Sequence, residues 1–115
     1  MSQALERAVE APEIVRALRH YGITQGEVGT VTGVSDRAVR GWQRSAIRPE
    51  RYDRLAELRD IVALLSDSLS PRGVGQWLHA RNRLLQAERP IDLLSAGRFE
   101  EVREAARSFI EGSYV

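Results

Sequence analysis

Apolar residues along this chain recur at intervals of three and four, and no stretch keeps up the alternation of a half-buried strand. The pattern predicts an all-α fold. Residues 2–10 are polar and Ala-rich with a weak helical pattern. "APEIVRALRHYG" predicts a helix opening at Pro12, with Glu13 in its first turn. Ile14, Val15, Leu18 and Tyr21 run along one side, and Gly22 is its stop. In "TQGEVGTVTG", Thr24 followed by Glu27 three residues on is a capping box that starts a second helix. Ser35 caps a third in "SDRAVRGWQRS". The longest pattern is "PERYDRLAELRDIVALLSDSL", where Leu55, Leu58, Val62, Leu65 and Leu69 form a seam of coiled-coil spacing. That spacing suits a core-facing helix and a dimer interface alike.

Ser70 and Pro71 open a further helix in "SPRGVGQWL". After a break at "ARN" and a short "RLL", "RPIDLLSAG" reads as a brief helix begun by Pro90 and ended by Gly97. The last helix, "RFEEVREAARSFIEG", puts Phe99, Val102, Ala106, Phe109 and Ile110 on one face and charge on the other. There is no flexible linker and no internal repeat. A boundary is expected within or just after the long helix, near Ser66 to Ser70, giving domains of residues 1–66 and 67–115. The ending "FIEGSYV" brings Phe109, Ile110, Tyr114 and Val115 to a terminus, where chains are usually frayed and polar. Such a tail either packs at home or is received by something else.

An apolar fraction of 43% in 115 residues supports a real core, and the absence of Cys excludes disulfides, thiolate metal sites and a Cys nucleophile. No apolar run is long enough to span a bilayer, and no signal peptide opens the chain, so a cytoplasmic protein without membrane contact is expected. The net charge of +1 excludes a general polycation, but its distribution is uneven. Arg37, Arg40, Arg44, Arg48, Arg51 and Arg54 crowd into eighteen residues against Asp36, Glu50 and Asp53.

That basic stretch overlaps "QGEVGTVTGVSDRAVRGWQR", residues 25 to 44, which fits the helix-turn-helix pattern. The motif needs apolar residues between its helices, a very small residue where they cross, and a turn residue tolerant of positive φ. Val28, Val34, Val39 and Trp42 meet the first need, Gly29 the second and Gly33 the third. Thr32 stands where an apolar residue is commoner, and Gly26 and Gly29 each weaken the first helix by about 1 kcal/mol relative to Ala. With Ser35 as cap, the exposed side of the second helix is expected to present Asp36, Arg37, Arg40, Gln43 and Arg44. Arginine forks to guanine and glutamine to adenine, so Arg37 and Arg40 are the expected base readers. Gln25, Arg44 and Arg48 are expected on phosphates. Residues 12 to 62 resemble the Xre/Cro-type repressors, and a symmetric repressor of that kind reads two half-sites one helical turn apart.

Residues 70–115 carry no arrangement that activates a nucleophile or holds a metal. His20 and His79 lack ligand spacing, and His79, beside Trp77 on a helix, is expected to pack or cap. No enzymatic activity and no cofactor are expected of this chain. "WLHARNRLLQAERPIDLLSAGRFEEV" resembles the signature of the MbcA/ParS/Xre antitoxins, on Trp77, Asn82, Leu84, Leu85, Pro90, Ile91, Asp92, Leu93, Leu94, Gly97 and Val102. The usual Asn-Pro of its turn is Asn82-Arg83 here.

The resemblance implies the antitoxin half of a toxin–antitoxin module whose toxin has a RES domain and consumes NAD. It implies a homodimer within a hetero-oligomer, a first domain that represses the module's promoter at operator DNA, and a second domain that holds the toxin. On that reading Trp77, Asn82, Arg98 and Phe109 belong to the toxin-binding half, and the carboxy-terminal end covers the NAD pocket. Gly112 lets the chain leave the helix, Ser113 makes polar contacts, Tyr114 offers a flat ring, and Val115 brings a terminal carboxylate for phosphate-binding arginines. The alternative is a stand-alone dimeric Xre-type repressor whose second domain only dimerises.

Overall fold

The structure, a computed structural model, describes residue 5 and residues 9–112. Among these the regular elements are seven α-helices and one 3₁₀ turn, as an all-α fold requires. In chain order the helices are α1 (Ala11–Arg19), α2 (Gln25–Thr32), α3 (Asp36–Gly41), α4 (Pro49–Leu65), α5 (Pro71–His79), α6 (Pro90–Ser95) and α7 (Phe99–Gly112). The 3₁₀ turn, Arg83–Leu85, lies between α5 and α6 and is closed by a single antiparallel bridge from Asn82 to Glu88.

The helix starts follow local side-chain chemistry. α1 begins at Ala11, one residue before the expected Pro12, because Glu10 precedes it as cap and its N–H donates to Glu13 Oε1 at 3.3 Å. At α2 the box is reciprocal: Glu27 N–H donates to Thr24 Oγ1 at 3.1 Å, and Thr24 N–H to Glu27 Oε1 at 2.9 Å. The Ser35 hydroxyl accepts from Ala38 N–H and that of Ser70 from Gly73 N–H, each at 3.1 Å. Each cap satisfies an amide that the helix leaves without a partner.

α4 is the axis of packing. It lies against α1, α2 and α7, and α2 also packs on α6. Leu55, Leu58, Val62 and Leu65 have no exposed surface, so the leucine seam is core within one chain, and Leu69 packs at its edge. Each such leucine contributes about 1.5–3 kcal/mol through removal from water. Ile14, Leu18, Val28, Val31, Val74, Leu78, Leu94, Val102 and Ala106 complete the same cluster. Buried side chains from both sides of Ser66–Ser70 thus share one core.

The α2–α3 crossing shows why small residues sit there. A Cβ added at Gly29 falls 2.7 Å from the Val34 carbonyl oxygen, and Gly33 holds φ at +82° as the helix terminates. Thr32 is fully buried, and its hydroxyl donates to Val28 O at 2.8 Å with Gly29 O at 3.3 Å, which satisfies the polar group at an otherwise apolar position. Gly29→Ala therefore forces the two helices apart. Its gain of about 1 kcal/mol in helix propensity is expected to be outweighed, with a net loss of about 1–3 kcal/mol in urea unfolding. A variant as stable as its parent means the crossing is loose.

Candidate nucleic-acid interface and partner-binding face

Ser35 starts α3, and its hydroxyl is occupied by the cap bond. Arg37, Arg40, Arg44 and Arg48 are all exposed. Gln25, Arg37, Arg40, Gln43 and Arg44 surround one open depression of about 450 Å³, so five of the eight expected DNA-contacting side chains converge. Asp36 links two of them: Gln25 Nε2 donates to Asp36 Oδ1 at 3.1 Å, and Arg40 Nη1 to Asp36 Oδ2 at 2.6 Å. The first residue of the motif is thereby tied to the second helix. Arg40 is aimed through Asp36, not held by contacts with the core.

One placement differs from expectation. α3 stops at Gly41, so Gln43 and Arg44 lie in the turn that follows, where Arg44 N–H and Ser45 N–H both donate to Gly41 O at 2.9 Å. Glycine is a poor helix former, and the backbone closes into tighter turns beyond it. Arg48 lies at the start of α4, outside the depression, and its carbonyl accepts from Tyr52 N–H at 2.9 Å.

The arginine cluster also divides. Arg51 Nη1 donates to Thr32 O at 3.1 Å and Arg54 Nη1 to Val31 O at 3.2 Å, so both guanidinium groups close the end of α2. Arg54 further lies over the Phe99 ring, 5.9 Å from its centroid.

At the other end of α2, a connection that spacing did not reveal joins the chain's two stretches. His79 Nε2 lies 2.7 Å from Glu27 Oε2, while its Nδ1 lies 2.7 Å from Gly75 O on its own helix. Glu27 therefore closes the α2 cap with one oxygen and meets α5 with the other. The only sequence signal was Glu27 as a cap and His79 as a packing residue, fifty-two positions apart.

In the second stretch, Trp77 and Phe109 are half-buried against the core and face each other with centroids 6.3 Å apart and planes inclined at 56°. Asn82 is turned to its own loop, where its Oδ1 accepts from Leu84 N–H at 2.9 Å. Arg98 forks to Glu101 at 2.8 and 2.6 Å, and Arg89 forks to Asp92 at 2.9 Å twice. The Arg89 hydrogen bonds hold the Asp92 carboxyl below the ordinary carboxylate range, with Arg81 and His79 adding to the effect, and Arg98 does the same for Glu101. Such pairs contribute at neutral pH and lose that contribution as pH falls below the carboxylate range, but both are exposed and the contribution is small. Gly112 is the exposed last residue of α7, and Ser113, Tyr114 and Val115 lie outside the described residues. No helix among the described residues is long and apolar enough to cross a membrane.

No family model matches the chain. It is 67% identical, over the full length of both, to the 115-residue "Probable mycobacterial cidal antitoxin Rv3188" of Mycobacterium tuberculosis. It is 30% identical over 109 residues to the "Mycobacterial cidal antitoxin MbcA" of Mycobacterium bovis, covering 93% of this chain and 96% of that one. A chain of the crystal structure of the M. tuberculosis MbcT-MbcA toxin-antitoxin complex matches the fold with a TM-score of 0.76 at 29% identity, over 94% of this chain and 99% of that one.

The Glu27 junction can be dissected by substitution. Glu27→Ala removes the Glu27 side-chain half of the capping box and the α5 contact while the Thr24 half, donated by the residue-27 backbone N–H, remains, with an expected loss of about 1–2 kcal/mol in urea unfolding and faster amide exchange from Thr24 to Val28. Glu27→Gln keeps the cap and is expected to lose less than half as much. Equal losses in the two variants would show that the Glu27 side-chain half of the box contributes nothing.

Proposed function

The chain belongs to the mycobacterial cidal antitoxin family of MbcA, and on that premise we propose that it neutralises a RES-domain, NAD-consuming toxin and represses its own operon. The observation that carries the reading is full-length similarity to named antitoxins together with an arginine-lined helix-turn-helix. Neutralisation needs no chemistry from this chain. The second stretch holds the toxin, and the residues after Gly112 cover its NAD pocket, with Tyr114 as a flat ring and the Val115 carboxylate as a phosphate mimic. The Trp77–Phe109 pair supports this by packing the last turns of α7 on the core, which fixes where the tail departs. Trp77, Asn82 and Arg98 contribute to the toxin-binding half, where Asn82 also accepts from its own loop and Arg98 is paired with Glu101 in an exposed contact that a partner can replace.

Repression uses the depression around α3. Arg37 and Arg40 read base edges, Gln25, Arg44 and Arg48 hold phosphates, and a homodimer places two such faces on adjacent half-sites. The Asp36–Arg40 pair is exposed and weak, so Arg40 exchanges that carboxylate for a guanine edge at little cost.

Arg40→Ala is expected to cost about 1–3 kcal/mol on the operator and to relax preference at one base pair, whereas Arg48→Ala weakens binding to all sequences alike and reduces the salt slope by about 1. Fluorescence anisotropy on operator and scrambled duplexes across a salt series separates them, and an Arg40→Ala chain that binds its operator undiminished overturns the assignment. Deleting Gly112 to Val115 is expected to leave operator binding intact and to abolish protection in a co-expression growth assay. Full protection by the truncated chain refutes occlusion by the tail.

A further inference from the structure

We propose that Leu84 is an apolar anchor for the toxin, and that the toxin surface seated on it is basic. The proposal rests on the antitoxin reading above and assigns to it a contact separate from the tail. Leu84 is 61% exposed, whereas its neighbour Leu85 is buried at 7%. Burial of Leu85 leaves the backbone no means of turning Leu84 inward. The loop is also pinned: Ala87 N–H donates to Asn82 O at 2.8 Å, Asn82 N–H to Glu88 O at 3.0 Å, and Arg81 Nη1 to Ala87 O at 2.9 Å. Leu84 is thus a fixed apolar knob that pays little ordering entropy on binding.

Beside the knob run two adjoining depressions of about 360 and 180 Å³, lined in common by Leu84, Leu85 and Glu101 and bounded by α7. Their rim carries the carboxylates of Glu88, Glu100, Glu101 and Glu104. Among the described residues the lining cation, Arg98, is already forked to Glu101. Glu100 pairs with Arg103, which is only 26% exposed and also meets Glu57, whereas Glu104 pairs with Arg107 in an exposed contact that a partner's cation can replace.

Charge selects the occupant. A second copy docked about a two-fold axis on this face sets carboxylates against carboxylates, and DNA sets phosphates against them. A protein with an apolar socket and a basic rim fits. Continuity with the tail favours the toxin: α7 lines the groove as far as Ser108, and Gly112 follows about 6 Å further along the axis at 1.5 Å per residue. One partner reaches both.

The test starts from the tagged full chain. The RES-domain protein it retains is purified separately and its affinity measured by titration calorimetry for wild type, Leu84→Ser, Leu84→Met and Glu100→Gln/Glu104→Gln. Leu84→Ser is expected to bind about ten- to a hundredfold more weakly with an unchanged unfolding midpoint and unchanged operator binding. Leu84→Met is expected to restore the affinity, and the double Gln variant to flatten the salt dependence. Equal affinity of Leu84→Ser and wild type overturns the anchor while leaving the antitoxin reading intact. Wild-type affinity for the toxin combined with a change in the free chain's mass by light scattering makes the occupant a second copy and also overturns it. If the wild-type chain retains no RES-domain protein, both readings fall together.

Discussion

The end of α2 lies beneath α4, and its last carbonyl groups have to find donors there. Arg51 and Arg54 supply them, reaching Thr32 O and Val31 O from the neighbouring helix. A helix terminus without such partners would leave part-buried acceptors unsatisfied at about 1–3 kcal/mol each. The positive φ of Gly33 follows from the same constraint, because the chain has to turn away at once to bring α3 across Gly29. Arg54 then carries the connection onward, since the same guanidinium covers Phe99 at the start of α7. The helix-turn-helix is thus fastened to the second stretch at its turn by Arg54 and at its amino end by the Glu27–His79 contact.

Features encoded within a few residues were legible in the sequence. Thr24 with Glu27, Ser35, Ser70 and the glycines at 33 and 97 each act through backbone groups next to them, so their spacing alone identified them. Arginine is different. Six of them clustered by sequence, and nothing local distinguishes Arg48, which faces solvent, from Arg51 and Arg54, which turn inward to another helix's carbonyls. The long flexible side chain makes its direction a tertiary outcome. The leucine seam was ambiguous for a related reason: burial rewards Leu58 equally whether the covering surface is α1, α2 and α7 or a second chain. Ser66 marked the end of a helix correctly, but a helix end does not reveal that α4 and α7 go on to share a core.

The candidate sites were readable in type and less so in arrangement. Arg37, Arg40 and Arg44 do gather with Gln25 around one depression. Asp36 was expected among the side chains that α3 presents, but the sequence did not reveal that it bonds both Gln25 and Arg40 and supports the two. Asn82 was expected in the toxin-binding half from the signature it belongs to, and its Oδ1 also accepts from Leu84 N–H within its own loop.

The net charge of +1 conceals a segregation that bears on how both proposed partners coexist. Arginines surround α3, while the rim of the groove beside α7 carries carboxylates. A duplex is drawn to the first and repelled from the second, and a basic protein face experiences the reverse. The two proposed partners are therefore assigned different faces. They do not act on independent bodies, however. A protein gripping α7 bears on Phe99, Phe99 stacks beneath Arg54, and Arg54 holds the last turn of α2. A continuous path of contacts thus joins α7 to the helix against which α3 is set.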